Sequence, residues 1–219
     1  MRAPFPGHPL GVLNETTPSI RSFAQAIDRQ RQGVERIPIL SSERADLVEA
    51  ARALDEAEVA AIAVAVEPGP LGLGRLREAA RAVSVPVLRA DPLVAEVQVY
   101  ESRIAGADAV LLEAGALSDE LLARLCDVAR STHMAALVTC RDEGEVRRAS
   151  LARAPILVLR NQGLFASAPR RTLLLADSAQ DPSVESLRGK ADALLDRTLG
   201  AHADPAAAFA LALTQDEKE

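Results

Sequence analysis

Apolar residues in this chain gather in short runs separated by amphipathic stretches, and the alternation is regular. It is clearest over residues 85–114. Val85, Val87 and Leu88 form an apolar run that ends in the polar loop Arg89-Ala90-Asp91-Pro92. Val94, Val97, Tyr100 and Ile104 then recur at three-to-four spacing, which predicts a helix with that face buried. Gly106 stands where a helix-ending glycine belongs, and residues 109–112 are continuously apolar, like a strand buried on both faces. Strand, helix and strand together predict one βαβ unit with a right-handed crossover.

The same alternation extends along the chain. Apolar runs fall at residues 37–40, 60–66, 85–88, 109–112, 135–139, 155–159, 172–176 and 191–195, with helical stretches at 44–54, 76–82, 118–131 and 143–152. Strands alternating with helices at this pitch predict a parallel α/β protein, and eight of them favour a closed (βα)8 TIM barrel over a doubly wound sheet. A last helix at 205–213 would close the ring, and the short spacing around 181–187 predicts a reduced seventh unit. Ahead of the first strand, residues 18–33 predict an extra helix with Ile20, Phe23 and Ile27 on one face and Gly33 as its stop. Residues 1–17 read as a flexible lead, and 18–219 as a single barrel domain. The glycine-rich Gly69-Pro70-Leu71-Gly72-Leu73-Gly74 lacks the Gly-Lys-Ser ending of a phosphate loop and reads as a turn.

Composition narrows the function classes. Of 219 residues, 48% are hydrophobic and 26% charged, which is ordinary for a globular protein. No apolar run reaches the roughly 18 residues of a membrane helix, and the opening MRAPFPGHPLG has no signal-peptide core. The expected setting is therefore off the membrane, and two cysteines without framework spacing, Cys126 and Cys140, suit a reducing cytoplasm. A formal charge of −6 without an arginine or lysine cluster speaks against nucleic acid. His8, His133 and His202 have no ligand spacing, so neither a metal nor a cofactor is expected. With four Phe, one Tyr and no Trp, the core has to be built from Ala, Val, Leu and Ile.

The stretch QVYESRIAGADAVLL resembles the third helix and fourth strand of indole-3-glycerol phosphate synthase, a (βα)8-barrel family of tryptophan biosynthesis. The family pattern Q-x-Y-x-A-R-x-x-G-A-D is matched by Gln98, Tyr100, Arg103, Gly106, Ala107 and Asp108. The resemblance implies a decarboxylating ring closure that needs a general acid, a carboxylate and a grip on phosphate. It also implies that the Arg-x-Phe segment at Arg21 and Phe23 lies across the barrel mouth.

Carried over residue by residue, the family's chemistry is largely missing. The Lys of its Lys-Asp-Phe motif, the general acid, falls on Ala90. The Glu and Lys of the first strand fall on Pro38 and Leu40, and the Glu of the fifth on Thr139. Asn-Asn-Arg-Asp-Leu becomes Arg160-Asn161-Gln162-Gly163-Leu164. Glu-Ser-Gly-Ile becomes Asp177-Ser178-Ala179-Gln180, and the phosphate-binding Gly-Ser becomes Asp196-Arg197. No confident catalytic residue remains. The polar groups that a barrel mouth would collect are Arg89, Asp91, Glu113, Arg160, Asn161, Asp177, Ser178 and Arg197. Arg89 and Asp91 are expected in a solvated loop with Asp91 capping the next helix. Glu113 is expected to pair with an arginine such as Arg89, and Cys140 to be a small semi-buried residue rather than a nucleophile.

Losing one general acid typically costs about a hundred- to ten-thousand-fold in rate. The reading is therefore a degenerate family member with little or no synthase activity and a binding or regulatory role. Its candidate partners are a phosphorylated small molecule and another tryptophan-pathway enzyme. The alternatives are an active synthase using substitute groups and a barrel enzyme with a repurposed site built on Asp91, Glu113, Asp177 and Arg160.

Overall fold

The computed structural model describes residues 17–30, 32–68, 71–180 and 183–216. Apart from Thr17, the expected N-terminal lead lies outside the described residues. All eight expected strands form: β1 (Glu35–Ser41), β2 (Ile62–Ala65), β3 (Val87–Arg89), β4 (Ala109–Glu113), β5 (Ala135–Cys140), β6 (Ile156–Leu159), β7 (Leu173–Asp177) and β8 (Ala193–Asp196). They pair in parallel, in sequence order, and β8 returns to β1 to close the barrel. Alternation along each strand divides the core in two. Ile37, Ile39, Ala63, Leu88, Leu111, Leu137, Ile156, Val158, Leu175 and Leu195 fill the barrel. Leu40, Ile62, Val64, Val110, Leu112, Val138, Leu157 and Leu174 face the surrounding helices. Each layer is continuous because a parallel strand buried on both faces needs apolar residues at every position.

The helices outside are α1 (Phe23–Ile27), α2 (Leu47–Glu56), α3 (Gly72–Ala82), α4 (Glu96–Ile104), α5 (Asp119–Ser131), α6 (Glu143–Leu151), α7 (Val184–Leu187), α8 (Arg197–Ala201) and α9 (Pro205–Asp216). The seventh unit is reduced, as expected: β7 is followed only by a 3-10 turn and the single-turn α7.

Three details differ from the sequence pattern. The extra helix is five residues long rather than spanning 18–33, because Ser22 caps it from Gln25 N and the chain turns extended at Asp28. Gly72 and Gly74 sit inside α3 rather than in a turn; a Cβ on Gly72 would lie 2.5 Å from the Glu67 carbonyl oxygen, so the helix start packs on that loop. In α4 the buried residues are Val99 and Ser102, whereas Val94 and Val97 are 54% and 46% exposed. Ser102 is tolerated there because its hydroxyl donates to the Gln98 carbonyl and accepts from Arg89.

α1 also lies at the opposite end from that implied by the family resemblance. Phe23 and Ile27 insert into the interior layer, and Ser19 N–H donates to the Thr132 carbonyl just ahead of β5. The segment therefore plugs the N-terminal end of the barrel and leaves the mouth open.

Its anchor is Asp108, 1% exposed at the foot of β4. Asp108 accepts from Ser19 Oγ at 2.5 Å and Val87 N–H at 2.9 Å, and it pairs with Arg21 at 2.7 Å and Arg103 at 2.9 Å. Arg21 goes on to donate to the carbonyls of Ala80, Val83 and Gly106. The motif Arg103, Gly106, Asp108 is thus a structural clasp. Gly106 belongs to it by necessity, with φ at +96° and the Ala80 Cβ 2.9 Å from where its own Cβ would be.

Asp108→Ala is expected to lower unfolding free energy by about 3–5 kcal/mol, since it strands two partly buried guanidiniums; urea denaturation followed by circular dichroism measures it. Gly200→Ala should cost about 1–3 kcal/mol or more, because a Cβ there would sit 1.8 Å from the Ile39 carbonyl oxygen.

Candidate functional site

The C-terminal ends of the strands surround a cavity of about 570 Å³, lined by Glu67, Arg89, Ala90, Asp91, Leu111, Glu113, Arg160 and Arg197 among others. Strand alternation decides which candidates reach it. On β4, β6 and β7 the inward series Ala109-Leu111, Ile156-Val158 and Leu173-Leu175 continues to Glu113, Arg160 and Asp177. Ala90 continues the inward series of β3, and Thr139 that of β5. Pro38 and Leu40 do not belong to this set: Leu40 packs against the helices, Pro38 shares its side of the strand, and Ile39 and Ser41 hold the inward positions of β1. Residues carried over to Pro38 and Leu40 would face away from the mouth.

The inward charges neutralise one another. Glu113 pairs with Arg141 at 3.0 Å and Arg160 at 3.2 Å, not with Arg89. Asp177, 3% exposed, lies 3.5 Å from Arg160 Nε and 3.4 Å from Arg197 Nε. The row Arg141–Glu113–Arg160–Asp177–Arg197 crosses the mouth from β5 to the end of β8. Within it only Arg160 Nε is buried without a hydrogen bond among the described residues of this row. The residue between Glu113 and Arg160 in the strand order is Thr139, which pairs with Glu113 in register and is short enough to let the two meet. Neither Arg141 nor Glu67 was among the expected mouth residues; the positions of both follow from strand ends that sequence spacing does not fix.

The other candidates hold loops in place. Arg89 faces outward and binds Asp91 through two contacts of 2.8 and 2.7 Å, with Ser102 Oγ at 3.2 Å. It is 6% exposed, so the pair is a buried brace between β3 and α4 rather than a solvated loop. Asp91 is not the cap of α4: Gln98 Oε1 accepts the Val94 and Ala95 N–H groups. Asn161 accepts from Gly163 N–H, and Ser178 Oγ accepts from Arg197 N–H. Asp196, 1% exposed, accepts the Thr198 and Leu199 N–H groups that begin α8 and pairs with Arg36 at 2.7 Å. The amides at this helix start, where the resemblance implies a phosphate grip, are taken by the chain's own carboxylate.

A family model described as indole-3-glycerol phosphate synthase matches residues 14–166. The chain belongs to the indole-3-glycerol phosphate synthase family. Indole-3-glycerol phosphate synthases of Neisseria meningitidis serogroup C / serotype 2a and of serogroup B are each 37% identical over 161 residues, covering 70% of this chain and 62% of the relative. That of a Nocardioides species is 45% identical over 106 residues, covering 48% and 41%. The chain thus matches about 62% of the length of the first of these relatives. Among solved structures it is similar to thiamine phosphate pyrophosphorylase from Pyrococcus furiosus, with TM-score 0.64 and 12% identity over 87% of this chain and 98% of that one. It is also similar to orotidine 5'-phosphate decarboxylase from Pyrococcus horikoshii, with TM-score 0.64 and 11% identity over 83% and 99%. Likenesses at such low identity establish the barrel and nothing of its chemistry.

Family membership brings no cysteine chemistry here. Cys140 is fully buried and faces the helices, and burial pushes its thiol up to about 12; burial likewise pushes Cys126 up to about 11. Among the described residues no group of three His, Cys, Asp or Glu side chains is placed to hold a metal, and no helix is long and apolar enough to cross a membrane.

At pH 8 both thiols should stay unreactive toward a chromogenic disulfide reagent in the native protein and react fully in guanidinium. Because the folded values lie above the ordinary 9.0, the native state keeps protons that the unfolded chain releases. Stability is then complete below pH 9 and falls as pH climbs toward 11, which denaturation midpoints across that range will measure.

Proposed function

We propose that this barrel is a non-catalytic or very weakly catalytic member of its family, whose mouth binds rather than turns over a ligand. The observation that carries this reading is Ala90, which lines the cavity at the position of the family's general acid and has no proton to give. Arg89 does not substitute for it: a guanidinium is charged throughout the working range and is a poor donor of protons, and this one is committed to Asp91. Glu113 and Asp177 are each engaged by arginines of the same chain, so neither stands free at the mouth as a replacement.

The remaining cavity suits a phosphorylated small molecule that displaces part of the arginine row, and a second enzyme of tryptophan biosynthesis is the protein partner proposed from family context. The buried thiols suit a reducing compartment, and we place the protein in the cytoplasm. A repurposed enzyme is the second reading. It is favoured by the mouth having stayed open, with Glu67, Glu113 and Arg160 on one cavity.

The deciding assay supplies the purified protein with the family's phosphorylated carboxyphenylamino-deoxyribulose and follows indole fluorescence beside an active synthase. No turnover above background is expected, and Ala90→Lys alone should restore little of it. Turnover near that of the control would sink the degenerate reading.

A further inference from the structure

A second cavity, of about 430 Å³, lies at the opposite end of the barrel. Its walls are residues 19–24 of the plugging segment and the two helix-to-strand turns that lead into β5 and β6. Ile20, Phe23, Cys126, Met134, Ala135 and Pro155 give it an apolar floor and lip. Ile20 is 98% exposed at that lip, a large hydrophobic side chain with nothing of the described chain over it. The basic lining residues are Arg21, Arg130, Arg153 and His133, and no carboxylate is among the described lining residues. Arg21 is spent on Asp108, and Arg130 pairs with Asp127 at the surface. Arg153 and His133 make no side-chain hydrogen bond or ion pair among the described residues, in a chain whose formal charge is −6.

The backbone at these two residues is unusual. His133 has φ +58° and Arg153 φ +57°, each one residue past a helix C-cap. The turns are alike: His133 N–H donates to Arg130 O and Met134 N–H to Ala129 O, while Arg153 N–H donates to Ser150 O and Ala154 N–H to Ala149 O. This is the helix-ending turn that glycine serves best, and Gly106 fills the corresponding place after α4. A side chain there is strained, at a cost in stability. Glu58, after α2, shows that the fold bears that cost elsewhere, so the strain alone marks no site. The two turns that flank the cavity, however, both carry cationic or protonatable side chains.

We infer that this cavity binds a small amphipathic anion, an apolar body against Ile20, Met134 and Pro155 with its carboxylate, sulfonate or phosphate held by Arg153 and His133. The volume falls within the range of small-molecule sites. The site is separate from the mouth and does not depend on the activity proposed there.

The probe is 8-anilinonaphthalene-1-sulfonate, titrated into the full chain and read by fluorescence. One probe per chain is expected, weakened by salt, and weakened at least about tenfold by combining His133→Gly with Arg153→Gly. The same double variant should melt at an equal or higher temperature, because glycine relieves both strained positions; a merely structural role would lower it. His133→Asn with Arg153→Asn tests the same charges with side chains that tolerate the left-handed region. Unchanged affinity in either variant overturns the inference. So does equal binding of the uncharged N-phenyl-1-naphthylamine, or affinity that falls instead on Arg160→Gln with Arg197→Gln at the mouth.

Discussion

Asp108 brings a full charge into a place that is 1% exposed, and the bottom of the barrel is built to meet its needs. An unpaired carboxylate there would cost several kcal/mol. Ser19, Arg21, Arg103 and the Val87 amide remove that cost, and in doing so they fix the plugging segment, the α4 turn and the start of β3 relative to one another. Asp192 repeats part of the device half a barrel away. Its carboxylate accepts Leu174 N–H as that of Asp108 accepts Val87 N–H, and its carbonyl accepts Glu35 N–H as that of Asp108 accepts Ala135 N–H. Each carboxylate follows an alanine and precedes one: Ala107-Asp108-Ala109 and Ala191-Asp192-Ala193. Strands β3–β5 and β7–β1 are therefore stitched at their feet by the same bonds, a two-fold relation in the hydrogen bonding that matches the closure of the ring.

Much of the motif shared with the family serves this framework. Residues 103–108 serve the foot of the barrel, while Gln98 caps the start of α4 beside the mouth; these roles are contacts within the fold. The mouth is under no such constraint. Ala90 lies at the mouth, at the other end of β3 from the clasp, and the barrel closes with alanine there.

The eight strands could be read from the sequence because a buried parallel strand has to be apolar throughout, a local property. Which residues of a helix face inward was less legible. In α4 the stripe of Val94, Val97, Tyr100 and Ile104 matched a helical period, but Arg89 beneath the helix needed the Ser102 hydroxyl, and that tertiary demand turned the polar residue inward. The mouth was legible only in part: Arg141 and Glu67 were not among the expected residues, and the pairings could not be read. Strand alternation places Glu113, Arg160 and Asp177 inward, yet the partner of Glu113 depends on how far β4 and β6 stand apart across β5 and on what lies between them. The same parity shows why Pro38 and Leu40 could not be mouth residues: a one-residue displacement along β1 exchanges the two faces.

Thr139 shapes the row of charges at the mouth. With the family's carboxylate in its place, Glu113 would face a second negative charge from the neighbouring strand, and Arg160 would be drawn to it. With threonine there, Glu113 is left to span Arg141 and Arg160. Catalytic sites hold charges in readiness for a reacting group, at some cost in stability. In this mouth the inward acids are each satisfied by arginines of the same chain. Glu113 and its arginines are partly exposed, so those pairs contribute only about 0.2–1 kcal/mol apiece; Asp177 is 3% exposed, and there the neighbouring arginines offset the cost of burying a carboxylate.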